Sequence, residues 1–206
     1  MSERSTWTVT THDWAHDLDL EHLASVRWDA QTREVGGGRR HLVPEVLAYA
    51  DDEALGRVGV AAVTMHDDGS VTVADDGRGT DTRLDGEGRV VRKPVMATRD
   101  VRFFDAVDGP RLPDGLPRRG MSTVAALSSL LVHQNHRSNG AWSQTYRHGV
   151  PDDELRAIDP STTSGTSVTF LAGEEVNGPA SPTAEDLRAF AWLRIELRGR
   201  APDAAG

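Results

Sequence analysis

The stretch VTVADDGRGTD, residues 71–81, decides how the rest of the chain is read. Val71 and Val73 alternate with Thr72 and Ala74 as in a half-buried strand. The strand then runs into two adjacent acids, Asp75 and Asp76, and into Arg78 held between Gly77 and Gly79. Such a junction is either a charged turn or a ligand-binding loop, and the flanking sequence has to choose.

Immediately upstream, RVGVAAVTMHDDGSVTVADDG predicts two strands joined at Asp67-Asp68-Gly69, because an Asp-Gly pair between β-branched runs is a hairpin signal. Before the hairpin comes HLVPEVLAYADDEAL. Leu42, Val46, Ala50 and Ala54 recur along it at helical spacing, Leu47 widens the stripe, and Pro44 is tolerable only near the first turn. Earlier still, DLEHLASVRW places Leu20, Leu23, Ala24 and Trp28 on one face of a short helix that ends before Gly36-Gly37-Gly38.

Downstream, residues 80–119 dissolve into Gly, Pro, Asp and Arg, with one more ordered patch at KPVMATRDVRFF. So long an irregular segment inside a compact domain is either disordered or a functional lid. GMSTVAALSSLLV, residues 120–132, predicts a largely buried helix whose N-terminus could serve an anion. HQNHRSNGAWSQTYRHG carries an Asn139-Gly140 hairpin signal, and SGTSVTFLA predicts a strand. TAEDLRAFAWLRIELRG predicts an amphipathic helix capped by Thr183, with Leu187, Phe190, Ala191 and Ile195 or Leu197 inward.

At 206 residues the chain suits one domain: a polar arm at 1–16, a folded unit at 17–199 with the lid at about 80–119, and a tail at 200–206. Hydrophobic residues at 37% and charged residues at 27% are ordinary globular usage. The net charge of −9 repels nucleic acid and anionic membrane, so neither is expected as a direct partner. The absence of cysteine rules out disulfides and thiolate metal sites. No signal peptide or membrane-spanning run is visible, and the cytoplasm is the expected compartment.

Glu45, Tyr49, Asp52 and Glu53 share the helix face opposite the Leu42/Val46 stripe. Any surface helix shows such a polar face, and taken alone it reads as solvated. The order of segments adds a second line. HLVPEV with ADDEAL, then VTVADDGRGT, then GMSTVAALSS, then TYRHGVP and SGTSVTF, with a weaker echo at LASVRW, resembles the N-terminal ATPase domain of gyrase B and its ParE relative. These belong to the GHKL ATPases, with heat-shock chaperones, sensor histidine kinases and MutL proteins. The resemblance spans residues 20–199.

It implies an α+β fold of the Bergerat type, a two-layer α/β sandwich with a mixed, mostly antiparallel sheet and helices on one face. It also implies a bound ATP or ADP, with the base between the long helix and the loop after the hairpin. Asp75 would accept the adenine amino hydrogen bond, and Thr166 would support Asp75 and reach the base through water. Gly77 and Gly79 would admit the ring, and Arg78 would pair with Glu53 to close the wall. Glu45 matches the general base that activates water. Asp52, Thr80 and Gly120 match binding positions by place in the motifs.

Three departures bear on chemistry. Tyr49 stands where the family has a magnesium-binding asparagine; a neutral phenol is a poor, bulky ligand for a cation that demands tight octahedral oxygen geometry, so the usual magnesium mode is not expected. The glycine-rich lid motif is replaced by Asp114-Gly115-Leu116-Pro117-Arg118-Arg119-Gly120, where Pro117 has no amide to donate. Arg118 and Arg119 could meet phosphate directly or could be a solvated basic patch. Finally, the sequence stops at Gly206, before the transducer and gating parts of the family, so strand passage by this chain alone is not expected. Each lost transition-state donor costs about 3 kcal/mol, which points to weak or partner-dependent hydrolysis. The alternative is a non-catalytic adenine-nucleotide module or scaffold acting through a protein partner. Family members dimerise through an N-terminal arm, but residues 1–16 show no clear match to it, so a homodimer is an expectation without a sequence signal.

The remaining constellations point to structure. His12 with His16, and His133 with His136, lack a third ligand and read as surface histidines. Trp142 reads as hairpin packing, and no P-loop or nucleophile elbow is present.

Overall fold

The computed structural model describes residues 18–32, 38–54, 58–80, 83–84, 90–91, 96–104, 109–137, 140–152, 155–188, 190 and 192–199. The expected arm and tail, His12, His16, Gly36, Gly37, Asn139 and Ala191 lie outside these residues.

The predicted hairpin forms β1 (Gly59–Met65) and β2 (Val71–Asp75), antiparallel with Val63 opposite Val73, and turns at Asp67-Asp68-Gly69. Asp68 stabilises the turn by accepting the Ser70 amide at 2.9 Å. Strand β2 pairs with β9 (Gly165–Ala172), and β9 with β5 (Ser128–Arg137). Strand β5 continues into the second hairpin through β6 (Gly140–Arg147), whose outer edge meets two short strands, β7 (Val150–Pro151) and β8 (Arg156–Ala157). On the far side of β1 lies β10 (Leu193–Arg198), paired in parallel. The result is a mixed, mostly antiparallel eight-stranded sheet in the order β10-β1-β2-β9-β5-β6-β7, with β8 against β6.

Helices α1 (Leu20–Thr32), α2 (Gly38–Glu53) and α4 (Met121–Ala126) pack together, and α2 and α4 lie on the sheet. Leu42, Val46, Leu47 and Ala50 of α2 join one core with Val63, Val73, Leu131, Val168 and Phe170 of the sheet. Each of the Leu, Val and Phe side chains contributes about 1.5–3 kcal/mol through burial, so the α2–sheet contact alone outweighs any local helix preference. Within the 80–119 segment, β3 (Arg83–Leu84) pairs with β4 (Val90–Val91), and α3 (Val101–Phe104) occupies the expected ordered patch.

Several expectations are corrected. The helix predicted over 120–132 ends at Ala126, and β5 begins at Ser128, whose hydroxyl donates to the Val124 carbonyl at 2.7 Å. Leu131, His133 and Asn135 then alternate inward. Two polar residues at core positions hid that period-2 pattern. The terminal helix is likewise short: α5 (Ala184–Arg188) keeps the Thr183 cap, with Asp186 N–H donating to Thr183 Oγ1 at 3.2 Å and Thr183 N–H to Asp186 at 2.6 Å. Beyond it RIELR is strand, with Leu197 47% exposed. A parallel partner distant in sequence leaves no local signal.

Helix α1 forms where expected but turns differently: Leu23 and Ala30 are buried, whereas Leu20 and Trp28 are 58% and 66% exposed. Helix α2 starts at Gly38, so Pro44 sits in its second turn, and a proline there withholds the amide owed to the Arg40 carbonyl.

Candidate functional site

The long helix is buried on its polar side as well. Glu45 is fully buried, and Tyr49 and Glu53 are nearly so, while Asp52 reaches the surface. A carboxylate enters a protein interior only where donors replace its water, and each of these residues has found a partner on one of two segments.

The first segment is the loop after β2. Asp75 accepts the Gly77 amide on Oδ1 at 2.8 Å and the Thr166 hydroxyl on Oδ2. Burial pushes its carboxyl above the usual range, against the pull of these hydrogen bonds, and Glu53 adds to the rise. The neighbouring Asp76 acts elsewhere, its Oδ1 accepting the Val60 amide at 2.7 Å and so tying the loop to β1. Arg78 pairs with Glu53 through Nε and Oε2, as the motif implied. Tyr49 reaches across from α2 to hydrogen-bond the Thr80 hydroxyl at 2.6 Å, and the Thr80 amide donates to Asn135 Oδ1 at 2.6 Å. Burial raises the Tyr49 pKa far above its ordinary value, so the phenol is neutral.

Both loop glycines are required by protein atoms. A Cβ on Gly77 would lie 2.7 Å from Asp75 Oδ1, and one on Gly79, at φ +76°, would lie 2.7 Å from the His136 carbonyl. Close packing of the loop on itself and on β5 thus favours glycine at both positions in the protein alone. Sequence reasoning also passed over Gly165, where a Cβ would stand 2.0 Å from the Asp75 carbonyl oxygen. Only glycine lets β9 approach β2 at the point where Thr166 meets Asp75.

The second segment is residues 109–120, at the end of the stretch expected to form a lid. Arg119 and Gly120 donate their amides to the two oxygens of Glu45, at 2.6 and 2.9 Å. Arg118 grips Asp52 with two nitrogens, at 2.7 and 3.3 Å, and its guanidinium lies 4.5 Å from the centre of the Phe103 ring. Arg102 covers the same ring at 4.7 Å. Arg118 is therefore paired with an acid of the same protein and largely buried, rather than part of a solvated patch. The Arg119 side chain is exposed.

Two histidines of this site also escaped sequence reasoning. His41 lies between Glu45 Oε1, 3.4 Å from Nε2, and Asp114 Oδ2, 2.7 Å from Nδ1. Burial disfavours its cation, but bonding to Glu45 and Asp114 together outweighs this, and its pKa is raised. The signal available was the spacing: His41 precedes Glu45 by one helical turn. His133, expected at the surface, is buried; its ring meets Trp142 edge-on at 5.0 Å and Tyr49 at 6.3 Å. Trp142 packs in the hairpin as expected.

Tyr49, which the resemblance sets at the family's magnesium-binding asparagine, is a buried neutral phenol already bonded to Thr80 and a poor ligand for a hard divalent cation. Among the described residues no group of three or more His, Cys, Asp or Glu is arranged to hold a metal ion. Nor is any helix among them long and apolar enough to cross a membrane.

Fold and site together define a two-layer α+β domain of the Bergerat type. Over 167 residues, 78% of this chain, the sequence is 37% identical to the B subunit of DNA gyrase from Borrelia hermsii, covering 26% of that protein. Over 141 residues, 68% of the chain, it is 31% identical to the B subunit of DNA topoisomerase 4 from Staphylococcus epidermidis, covering 21% of it. The structure resembles a topoisomerase IV ATP-binding domain of Francisella tularensis solved with a small-molecule inhibitor, with a TM-score of 0.53, 24% identity, and coverage of 68% of this chain and 38% of that one. No protein-family model matches the chain. The chain is related to the ATPase domain of the gyrase B and topoisomerase IV B proteins. It spans about a quarter of the length of these relatives.

Proposed function

We propose that this chain is a gyrase-B-like adenine-nucleotide-binding domain with weak or partner-dependent ATP hydrolysis. The observation that carries the reading is the Asp75 carboxylate, held at the end of β2 by the Thr166 hydroxyl and the Gly77 amide, with the α2 wall tied to the same loop by Arg78 and Glu53. An ionised carboxylate can accept about four hydrogen bonds, which leaves acceptor capacity on Asp75 for the amino group of a purine. The relatives include a domain described as ATP-binding, and the ligand class is carried over from there.

Glu45 is the residue that would act as general base. Its two oxygens already serve the Arg119 and Gly120 amides, so a water would have to compete with them for the carboxylate. With Tyr49 in place of a metal ligand, and each missing transition-state donor worth about 3 kcal/mol, slow turnover follows. A non-catalytic form, acting through a protein partner or a second copy, is the second reading. The Tyr49–Thr80 hydrogen bond favours it, because it occupies the position from which a metal would be held.

The test is calorimetric titration with ADP and a non-hydrolysable ATP analogue, with and without magnesium, followed by phosphate release from wild type and Glu45→Ala. Saturable binding supports the reading. Release at equal rates from both proteins refutes catalysis by Glu45, and no binding by either ligand refutes the proposal as a whole.

A further inference from the structure

Resting on that reading of the Asp75 site, we propose that this domain recognises the base of its adenine ligand and draws little affinity from the phosphates, so that adenosine binds about as well as ATP. A polyphosphate in a pocket of this kind needs donors, and here the backbone donors of residues 115–120 are engaged by the protein itself.

From residue 115 to residue 120 the backbone donors are taken one after another. Gly115 N–H donates to the Leu112 carbonyl at 2.9 Å, and Leu116 N–H to Asp114 Oδ1 at 3.1 Å. Pro117 has no N–H. Arg118 N–H goes to the Pro110 carbonyl at 2.8 Å. Arg119 and Gly120 N–H go to the two oxygens of Glu45, at 2.6 and 2.9 Å. A run whose amides could have formed an anion nest is closed as a small hairpin, with Arg111 bridged to Pro117, and its last two donors already hold a carboxylate.

That carboxylate is an internal substitute for a phosphate oxygen. It is fully buried, fixed on the long helix, and braced by His41, which is itself bound to Asp114 of the same hairpin. An incoming phosphate would have to displace Glu45 from two amides and strand a buried charge, a cost that offsets what it would gain from the same two amides. The Arg118 guanidinium is held through its two terminal nitrogens by Asp52 and stacked on Phe103, with Nε its one buried donor that lacks a partner. The exposed Arg119 side chain offers only a screened attraction. At the other end of the site, Asp75 with Thr166 is untouched by this closure.

The experiment titrates the full chain with adenosine, ADP and ATP at low and high salt. The three affinities are expected to agree within about threefold, with little salt dependence, since a tenfold difference is about 1.4 kcal/mol of extra phosphate contact. Glu45→Ala, which frees both amides, is expected to raise the ATP-to-adenosine affinity ratio by about tenfold or more. Asp52→Asn, at the surface, releases Arg118 and is expected to move the ratio in the same direction, so the proposal stays testable if Glu45→Ala fails to fold. Wild-type ATP binding tighter than adenosine by about tenfold or more overturns the inference and leaves the proposed function standing. An unchanged ratio in both folded variants also overturns it. Failure of all three ligands to bind overturns the proposed function along with it.

Discussion

Replacing Glu45 by glutamine keeps the shape of the side chain and changes only what its two terminal atoms can accept. In the wild type Oε1 takes the Arg119 amide at 2.6 Å and Oε2 the Gly120 amide at 2.9 Å, with no solvent exposure. The glutamine oxygen can keep one of these amides, but its NH2 then faces the other, donor against donor. A buried amide left unpaired costs about 1–3 kcal/mol, and loss of charge on the remaining bond costs about 1 kcal/mol more. His41 also loses the anion 3.4 Å away. The sum is about 3 kcal/mol, a large share of the roughly 5–15 kcal/mol available to a domain. For a domain of this size it corresponds to a fall in Tm of about 6–12 °C. Urea denaturation and thermal melting of Glu45→Gln measure the loss. Hydrogen exchange locates it, with the Arg119 and Gly120 amides slow in the wild type and faster in the variant. A loss below about 1 kcal/mol, or unchanged protection of those two amides, would refute the claim that Glu45 anchors the lid.

Asp75→Asn is expected to abolish adenine binding while leaving stability at neutral pH equal to wild type or higher, because the folded protein holds this carboxyl above its ordinary 3.8 and so loses stability on its ionisation as pH rises through the folded value; a destabilised variant in a melting scan across pH 3–7 would contradict this. For His41 the raised pKa means that its contribution is complete below the ordinary 6.5 and is lost as pH rises through the folded value, so wild-type Tm should fall as pH rises above 6.5 and His41→Gln should flatten the profile. Tyr49→Phe removes the bond to Thr80 and should cost about 1 kcal/mol in urea denaturation, with no gain in magnesium dependence of ligand binding. Gly165→Ala, with its Cβ 2.0 Å from the Asp75 carbonyl oxygen, should destabilise by about 3 kcal/mol or more and disrupt ligand binding with it, both read in one thermal-shift titration.

Much of this site was legible in the chain itself. The Asp75, Thr166 and Arg78–Glu53 contacts follow from motifs, since short segments with fixed turn chemistry carry their geometry with them. The hairpin at Asp67-Asp68-Gly69 and the inward stripe of α2 were legible for the same reason: both are local patterns of period 2 or 3.6. What the sequence did not show is where distant partners arrive. Residues 128–137 became strand because β9 and β6 flank them, and Leu193–Arg198 became strand because β1 offers a parallel edge. In both places non-local pairing overrode a helical reading of the apolar spacing.

The same division runs through the candidate site. Composition and motif alone determined an acidic, cysteine-free chain with a strand ending in Asp75, a helix bearing Glu45, and a lid whose Pro117 cannot donate an amide. Only the tertiary structure decided that the polar face of α2 is buried, that Arg118 belongs to Asp52, and that Glu45 closes on the lid amides. The physical reason is that a sequence fixes which donors and acceptors exist, whereas desolvation forces each buried one to find a partner, and which partner lies within reach is set by the packing of segments far apart in the chain.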